Sequence, residues 1–161
     1  MAALYVFRNL RAEEKLASYE KVIVPANDGC HWYLVIVSFT KVATKVATKV
    51  VTQVSLKVAD SLRTEAGTLA PKQRKRCKDL TECIEYCASL ESMQVQMIEK
   101  ADLLSDTPQQ SDSSSCGIIM LKTMEQITRG KSLKFAVAAN DLSKYRGEMQ
   151  KVTHTHTYTY L

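Results

Sequence analysis

One nearly continuous run of apolar and aromatic residues constrains the fold of this chain more than any other feature. Residues 31–39 read His-Trp-Tyr-Leu-Val-Ile-Val-Ser-Phe. Aromatic and β-branched residues in a row of this length are typical of a buried strand. A second such run, Lys21 to Pro25, precedes it, and Asn-Asp-Gly at 27–29 is turn chemistry. The sequence therefore predicts a β-hairpin with His31 at the start of its second strand.

A tandem repeat follows this strand. Residues 41–52 are three near-identical tetrapeptides, Lys-Val-Ala-Thr, Lys-Val-Ala-Thr and Lys-Val-Val-Thr. A period of four is too short for a solenoid, and the alternation of Val with Lys or Thr suits either an extended hairpin arm or a loop. We interpret the repeat as a tandem insertion into a surface loop, because a longer loop costs little closure entropy. Strand character resumes over 54–58.

The remainder of the chain is dominated by helical patterns. Apolar residues within 72–93 and again within 116–129 recur at the spacing of one helical face. A third helix is predicted over 140–152, with a polar cap at its start, and a further strand within 95–104. Together these elements predict an α+β fold in which a small, mostly antiparallel sheet packs against helices.

Length and composition allow one domain. The chain has 161 residues, of which 45% are hydrophobic and 24% charged, enough for a single core. We assign residues 1–152 to this domain and 153–161, Thr-His-Thr-His-Thr-Tyr-Thr-Tyr-Leu, to a low-complexity tail. No apolar run is long enough for a membrane span, and the start of the chain lacks the features of a secretory signal. Five cysteines without disulfide-type spacing suit a reducing compartment, so we expect an intracellular protein.

The net charge of +5 is mild, and its densest part is the basic run 72–78, Lys-Gln-Arg-Lys-Arg-Cys-Lys. Such a run can be a nuclear-import or nucleic-acid patch, but more often it is the solvated face of a helix. No aromatic residue is interleaved for base stacking. We therefore do not expect nucleic acid as the main partner, and we place the protein in the nucleus, the cytoplasm or both.

Cys116-Gly117 stands where a serine-rich loop meets a predicted helix. A helix N-terminus stabilises a thiolate, and its free N–H groups can face a bound carbonyl. The glycine would let a substrate backbone approach closely. Taken alone, a cysteine in this position is more often a small buried hydrophobe.

The flanking residues change that balance. Residues 108–117, Pro-Gln-Gln-Ser-Asp-Ser-Ser-Ser-Cys-Gly, resemble the active-site segment Pro-Gln-Gln-x-Asn-x-x-Asp-Cys-Gly of the papain-like, Ulp-type cysteine proteases, which are specific for SUMO and related ubiquitin-like modifiers. His31-Trp32 and Asp60-Ser61-Leu62 are similar to the histidine and aspartate segments of the same family. The resemblance implies that Cys116 is the nucleophile, His31 the base, and Asp60 the residue that orients the histidine.

The resemblance assigns three further residues and a fold. Gln110, six positions before the cysteine, would supply the side-chain oxyanion donor. Trp32 and Gly117 would line the substrate cleft, in which the narrow Gly-Gly tail of the modifier passes beneath the indole. The implied fold is that of papain-like proteases, with the active-site cysteine at a helix N-terminus.

Spacing gives an internal check on the resemblance. His31 and Asp60 are 29 positions apart, whereas the family has roughly 17 at this point, as expected of a hairpin. Removing the twelve residues 41–52 from this interval leaves 17, so the repeat accounts for the whole difference. The resemblance extends over about 22–149, where 141–149 is similar to the closing helix of the family.

We therefore expect a cysteine-type peptidase or isopeptidase that cleaves after the C-terminal Gly-Gly of SUMO or a related modifier, without a metal or organic cofactor. Three departures keep an alternative open. Ser115 stands where the family has an aspartate, and the opening helices of the family are missing or abbreviated before Val22. The repeat 41–52 also lies on the hairpin that carries both His31 and Asp60. The alternative is a catalytically inert or degenerate modifier-binding domain of the same fold. A nucleic-acid adaptor is a third interpretation, and it depends only on 72–78.

The other cysteines indicate packing rather than chemistry. Cys77, Cys83 and Cys87 share one predicted helix without a Cys-x-x-Cys pair or a nearby histidine, so we expect no metal site. Cys30 is adjacent to His31, but neighbouring strand residues point to opposite faces, which disfavours that pair as nucleophile and base.

Overall fold

The computed structural model describes residues 16–43, 50–62, 67–98 and 101–155. After a 3-10 turn at Leu16–Ser18, the strands are β1 (Lys21–Asn27), β2 (Trp32–Ala43), β3 (Val50–Ala59), β4 (Val95–Met97) and β5 (Asp102–Leu103). The helices are α1 (Pro71–Leu90), α2 (Cys116–Thr128) and α3 (Ala139–Thr155). The predicted α+β fold is confirmed.

The strands form one mixed sheet. β1, β2 and β3 are joined by antiparallel pairing in that order, and the two short strands β4 and β5 both lie parallel to β3. The three long strands give the sheet the mostly antiparallel character that the sequence predicts. The single strand predicted within 95–104 is instead two short pieces, which pair with different parts of β3.

β2 is buried because helices cover both of its faces. Successive side chains of a strand point to opposite faces, and in β2 each set has its own core. Tyr33, Val35, Val37 and Phe39 pack in a cluster with the buried face of α1, and Leu34 and Ile36 pack in another cluster with Met120 of α2. This sandwiched position explains the unbroken apolar run.

The helices begin and end close to their predicted limits. α1 starts with Pro71 at its first position, where the missing N–H costs nothing. α3 continues to Thr155, so the helix crosses the boundary drawn at residue 152 between domain and tail. Residues 156–161 of that tail lie outside the described residues.

The repeat 41–52 lies at the far end of the β2–β3 hairpin. Its first three and last three residues belong to β2 and β3 and pair with one another, and 44–49 lie outside the described residues. Thr52 is buried and pairs with Val95 of β4 as well. The loop interpretation therefore does not hold for the two ends of the repeat, because their alternating Val and Thr residues continue the ladder.

The basic run 72–78 forms the first two turns of α1. Lys72, Arg74, Lys75 and Lys78 are exposed on it, whereas Gln73 and Cys77 are buried. This arrangement favours the solvated-helix interpretation, and the nuclear location stays a prediction. Within the described part of the chain, no helix has the length and apolar character that a membrane crossing requires.

Candidate active site

The turn between β1 and β2 fixes the backbone of His31. One carboxylate oxygen of Asp28 accepts the N–H groups of Cys30 at 3.4 Å and His31 at 3.1 Å, and the Asp28 N–H donates to the His31 carbonyl at 3.2 Å. Gly29 has a φ of 111°, which side chains rarely tolerate. The turn chemistry seen in the sequence thus holds His31 at the entry to β2.

The His31 ring contacts Asp60 at the end of β3. Its Nε2 lies 2.6 Å from Asp60 Oδ1, and the two side chains are only 12% and 5% exposed. Asp60 Oδ1 also accepts the Leu62 N–H at 2.8 Å, and Oδ2 accepts Gln73 Nε2 at 2.5 Å. Three donors therefore fix this carboxylate. Since Nε2 faces Asp60, Nδ1 is the ring nitrogen left for another partner.

Gln73 is a site residue that the sequence did not indicate. It lies in the first turn of α1, where its Oε1 accepts the Ala70 N–H at 2.9 Å while its Nε2 donates to Asp60. The side chain is 4% exposed. The signal available in the sequence was a single uncharged polar residue within a run of lysine and arginine, at the position where a glutamine can close a capping box.

Gln110 is held against Ser61. Its N–H donates to the Ser61 carbonyl, and the Ser61 hydroxyl donates to its Oε1, both at 2.8 Å. Its Nε2 donates to the Asp112 carbonyl at 2.7 Å. Because a side-chain amide nitrogen carries two hydrogens, one remains for a ligand. Gln109 adds a bond from its Nε2 to the Asp60 carbonyl at 3.0 Å, which ties this loop to the end of β3.

Cys116 is the first residue of α2, and it is 6% exposed. A Cβ atom added to Gly117 would lie 3.6 Å from Trp32 Cδ1, in ordinary van der Waals contact. The backbone of Gly117 therefore lies beside the indole, and the N-terminus of α2 lies beside the start of β2. Trp32 itself is 42% exposed.

The predicted site residues are thus brought together in pairs. His31 contacts Asp60, Gln110 contacts Ser61, and Gly117 lies next to Trp32. Among the described residues, no hydrogen bond joins the Cys116 sulfur to the His31 ring, which stacks on Tyr33 at a centroid distance of 6.3 Å. Catalytic hydrogen bonds commonly tighten only when substrate binds. The roles assigned to these residues stay predictions.

The other thiols have different surroundings. Cys77 is buried in the core, and burial raises its pKa to about 11. Burial is also the main cause that raises the pKa of Cys83, followed by the charges of Asp79 and Glu82. Cys30 is exposed. Over the stretches of chain that the structure describes, no three His, Cys, Asp or Glu side chains are grouped to hold a metal ion.

With this geometry in hand, comparison with known proteins identifies the class. The family model described as Ulp1 protease family, C-terminal catalytic domain, matches residues 6–157. The chain therefore belongs to the Ulp1 protease family, as the resemblance of its motifs predicted. No curated protein matches the chain by sequence.

Solved structures of the SUMO protease Ulp1 are similar in fold. The form with its catalytic cysteine oxidised to a sulfenic acid is 17% identical, with a TM-score of 0.57 over 90% of this chain and 56% of that one. The sulfonic acid form is 18% identical, with a TM-score of 0.58 over 87% and 57% of the two chains. The C-terminal Ulp1 domain in complex with Smt3, the yeast orthologue of SUMO, is 16% identical, with a TM-score of 0.50 over 80% and 52%.

At these identities the likeness shows the fold. The chain spans little more than half the length of the Ulp1 structures that it matches, at most 57% of them. The papain-like architecture with a cysteine at a helix N-terminus is therefore shown for this part of the domain, whereas activity and substrate are the subject of a proposal.

Proposed function

We propose that this domain is a cysteine-type peptidase or isopeptidase that cleaves after the C-terminal Gly-Gly of SUMO or a related ubiquitin-like modifier. The observation that carries the proposal is the bond of 2.6 Å between His31 Nε2 and Asp60 Oδ1, across the hairpin that the repeat extends. Family membership and the complex of the Ulp1 domain with a SUMO orthologue support the choice of reaction and of modifier.

The proposed chemistry begins with the Cys116 thiolate. Its place in the first turn of α2 gives it the stabilising end of the helix dipole. His31, oriented by Asp60 through Nε2, takes the thiol proton on Nδ1 and holds it as an ion pair. The thiolate then attacks the carbonyl carbon of the second glycine of the modifier tail, which forms a tetrahedral intermediate.

The oxyanion of that intermediate would be bound by two donors. One is the Gln110 Nε2 hydrogen that is not used by Asp112, and the other is the Cys116 N–H, which is free in the first turn of a helix. His31 gives its proton to the departing lysine or peptide amine. Water, deprotonated by His31, then hydrolyses the thioester and releases the modifier.

Trp32 and Gly117 would select the diglycine tail. A Cβ atom on Gly117 would already be in van der Waals contact with the indole, so the space between Trp32 and Gly117 is narrow and favours a tail without side chains. Trp32 is also one of the large apolar side chains that remain exposed, as is Leu62 two residues after Asp60. These surfaces would be covered when the modifier docks.

The proposal is tested by incubating the protein with a SUMO that bears a C-terminal electrophile. We expect a covalent adduct of the summed mass with the natural chain, and none with Cys116→Ser, which changes one atom and little packing. Cys30→Ser and Cys77→Ala serve as matched thiol controls and should still form the adduct. An adduct that persists in Cys116→Ser, or is lost in Cys30→Ser, would refute the assignment of the nucleophile.

An inert modifier-binding domain is the second candidate. Two observations favour it: the absence, among the described residues, of a hydrogen bond between Cys116 and His31, and the presence of Ser115 where the family segment has an aspartate. Calorimetric titration with unmodified SUMO separates the candidates. Binding without any adduct from the electrophile identifies the inert domain, whereas absence of both binding and adduct rejects the modifier as partner.

A further inference from the structure

The carboxylate of Asp112 accepts hydrogen bonds from both residues that directly precede Cys116. Asp112 Oδ1 accepts the N–H groups of Ser114 at 2.8 Å and Ser115 at 2.7 Å, and Asp112 Oδ2 accepts the Ser115 hydroxyl at 2.6 Å. The hydrogen bond from Ser115 is the main cause that holds the pKa of Asp112 below its usual value. The two residues that precede the cysteine are therefore held by an ionised side chain.

Ser115 connects this carboxylate to the last helix. Its hydroxyl hydrogen goes to Asp112, and its oxygen accepts a hydrogen bond from Arg146 Nη2 of α3 at 3.2 Å. Asp112 and Arg146 are exposed, whereas Ser115 between them is 1% exposed. The buried hydroxyl thus lies between a carboxylate and a guanidinium, where both of its hydrogen-bonding functions are used.

α3 is itself anchored on α2. Leu142 of α3, 2% exposed, packs with Ile118 and Ile119 of α2 in a cluster of their own. Arg146 lies one helical turn after Leu142, so the arginine reaches Ser115 from a helix that the core holds in place. The contact of Arg146 with Ser115 therefore ties the start of α2 to α3, a helix that the core holds in place.

Asp112 also contacts the second part of the proposed machinery. Its backbone carbonyl accepts Gln110 Nε2 at 2.7 Å. One residue thus reaches the proposed oxyanion donor with its main chain and the residue before the proposed nucleophile with its side chain. Neither contact involves the substrate, so any effect on the reaction would be an effect of position.

We infer that Asp112 is a positioning residue, which acts through Ser115 and Arg146 to set the first turn of α2 and with it Cys116. The inference rests on the proposed function, since Cys116 is the nucleophile of that proposal. The family segment given above has asparagine at the position of Asp112 and aspartate at the position of Ser115. In this chain the carboxylate stands three residues earlier in the sequence and reaches the cysteine segment by hydrogen bonds.

Moving the carboxylate from position 112 to position 115 tests this inference. D112N removes the ionised acceptor, and the double variant D112N/S115D returns the carboxylate to the position directly before Cys116, close to Arg146. D106N is the matched control, because Asp106 is an exposed aspartate of the same connecting segment whose carboxylate accepts one long bond, from Ser105 at 3.4 Å. Each protein is first compared by melting temperature.

Two rates are then measured for each variant. One is the iodoacetamide labelling rate of Cys116, read by peptide mass spectrometry. The other is the inactivation by the SUMO electrophile, separated into its maximal rate and its half-saturating concentration. For D112N we expect both rates to fall about tenfold with the half-saturating concentration unchanged. A less firmly placed first turn of α2 stabilises the thiolate less, which slows both reactions, and it also misplaces the sulfur relative to the bound electrophile. The double variant should recover most of the loss, and D106N should match the natural chain.

A D112N protein that keeps natural rates overturns the inference, and so does a folded double variant as slow as D112N. If either fails to fold, R146Q, S115A and R146Q/S115A provide a second test. S115A removes the bond to Asp112 and also the bond that R146Q breaks, so the loss in the double variant should equal the loss in S115A rather than the sum of the two single losses. Additive losses would contradict the inference. Failure of the proposed function can be distinguished from failure of this inference. In that case the natural chain forms no SUMO adduct, but the iodoacetamide labelling rates of the variants can still be compared.

Discussion

At the scale of single residues, the surroundings of Asp60 explain how a histidine on a hairpin can be oriented. The carboxylate has partners on three elements: His31 before β2, the Leu62 N–H just after β3, and Gln73 in the first turn of α1. An oxygen held from several directions keeps its position when the histidine ring changes charge. Gln73 therefore belongs to the site although it is remote from the cleft in sequence.

Removing the Gln73 amide should weaken both the fold and the reaction. We expect Gln73→Ala to lower the free energy of unfolding by about 1–3 kcal/mol, because the buried Asp60 oxygen and the Ala70 N–H both lose a partner. Cleavage per folded molecule should fall as well, since Asp60 is then less firmly placed. Urea unfolding and cleavage of a SUMO fusion measure the two effects.

Gln96→Ala is the matched control for this substitution, because Gln96 is an exposed glutamine of β4. It should change neither quantity appreciably. A Gln73→Ala protein with natural stability would show that the hydrogen bond to Asp60 contributes nothing. A protein that is destabilised but fully active once folded would show that Gln73 supports α1 only.

The residues of the site differ in how far the sequence could predict them. His31, Asp60, Gln110 and Cys116 stand in motifs, so a resemblance was enough to propose them. The residues that hold these side chains in place stand in no recognisable motif. Gln73 is 13 positions from Asp60, and Arg146 is 31 positions from Ser115. Such contacts depend on how helices pack against the sheet and against one another, which the periodicity of apolar residues within one element does not specify.

At the scale of elements, the β2–β3 hairpin is longer than the sequence predicted. The apolar run predicts a strand that ends near residue 39, and the alternation in the tetrapeptide repeat suits either an extended hairpin arm or a loop, of which the loop is our prediction. The strands instead continue through Ala43 and from Val50, because cross-strand pairs of Val and Thr are favourable in a ladder. Alternating polar and β-branched residues fit a loop or a strand equally well, and the pairing of β2 with β3 makes the ends of the repeat strands.

The loop interpretation and the hairpin-arm interpretation predict different results when the repeat is shortened. If it were a loop, deletion of 41–52 would be nearly neutral. The structure indicates a cost above about 2 kcal/mol, because the buried Thr52 and its bond of 2.9 Å to the Gln94 carbonyl are lost and the paired Thr40 and Gln53 would become adjacent in the chain.

Deletion of 45–48 alone is the matched comparison, with Thr44→Asn and Lys49→Gly to supply a two-residue turn. All described strand pairs of the hairpin keep their register in this variant, and we expect the free energy of unfolding to change by less than about 1 kcal/mol. Melting temperature and urea unfolding of both deletions measure the difference. Equal stability of the two would contradict the hairpin-arm interpretation.

In the molecule as a whole, helices flank both faces of one sheet, whereas the sequence predicted only that a small, mostly antiparallel sheet packs against helices. The apolar run of β2 is covered on both faces, by α1, which lies in the chain between β3 and β4, and by α2, which follows β5. What the sequence did not predict was the parallel edge formed by β4 and β5. Strands of three and two residues carry too little pattern to be distinguished from a loop.

The packing of α1 on the sheet has a consequence for the stability of the molecule in alkali. Cys77 is 4% exposed within the core that α1 shares with β2 and β3. Burial raises the pKa of its thiol from 9.0 to about 11, because a thiolate would lose its hydration there. The folded state thus keeps the proton to higher pH than the unfolded chain does. The corresponding stabilisation is complete below pH 9 and is lost as the pH rises through 11.

This loss amounts to about 2–3 kcal/mol near pH 11, since each pKa unit corresponds to about 1.4 kcal/mol. We therefore expect the difference in free energy of unfolding between the natural chain and Cys77→Ala to be constant from pH 6 to pH 8.5. Above pH 9 the natural chain should lose stability relative to Cys77→Ala. Other groups that titrate in this range are present in both proteins and cancel in the difference. Cys30→Ala, which removes an exposed thiol, is the control and should show no comparable shift. Urea unfolding across this pH range measures these differences, and a Cys77→Ala curve parallel to that of the natural chain up to pH 11 would mean that water reaches this part of the core.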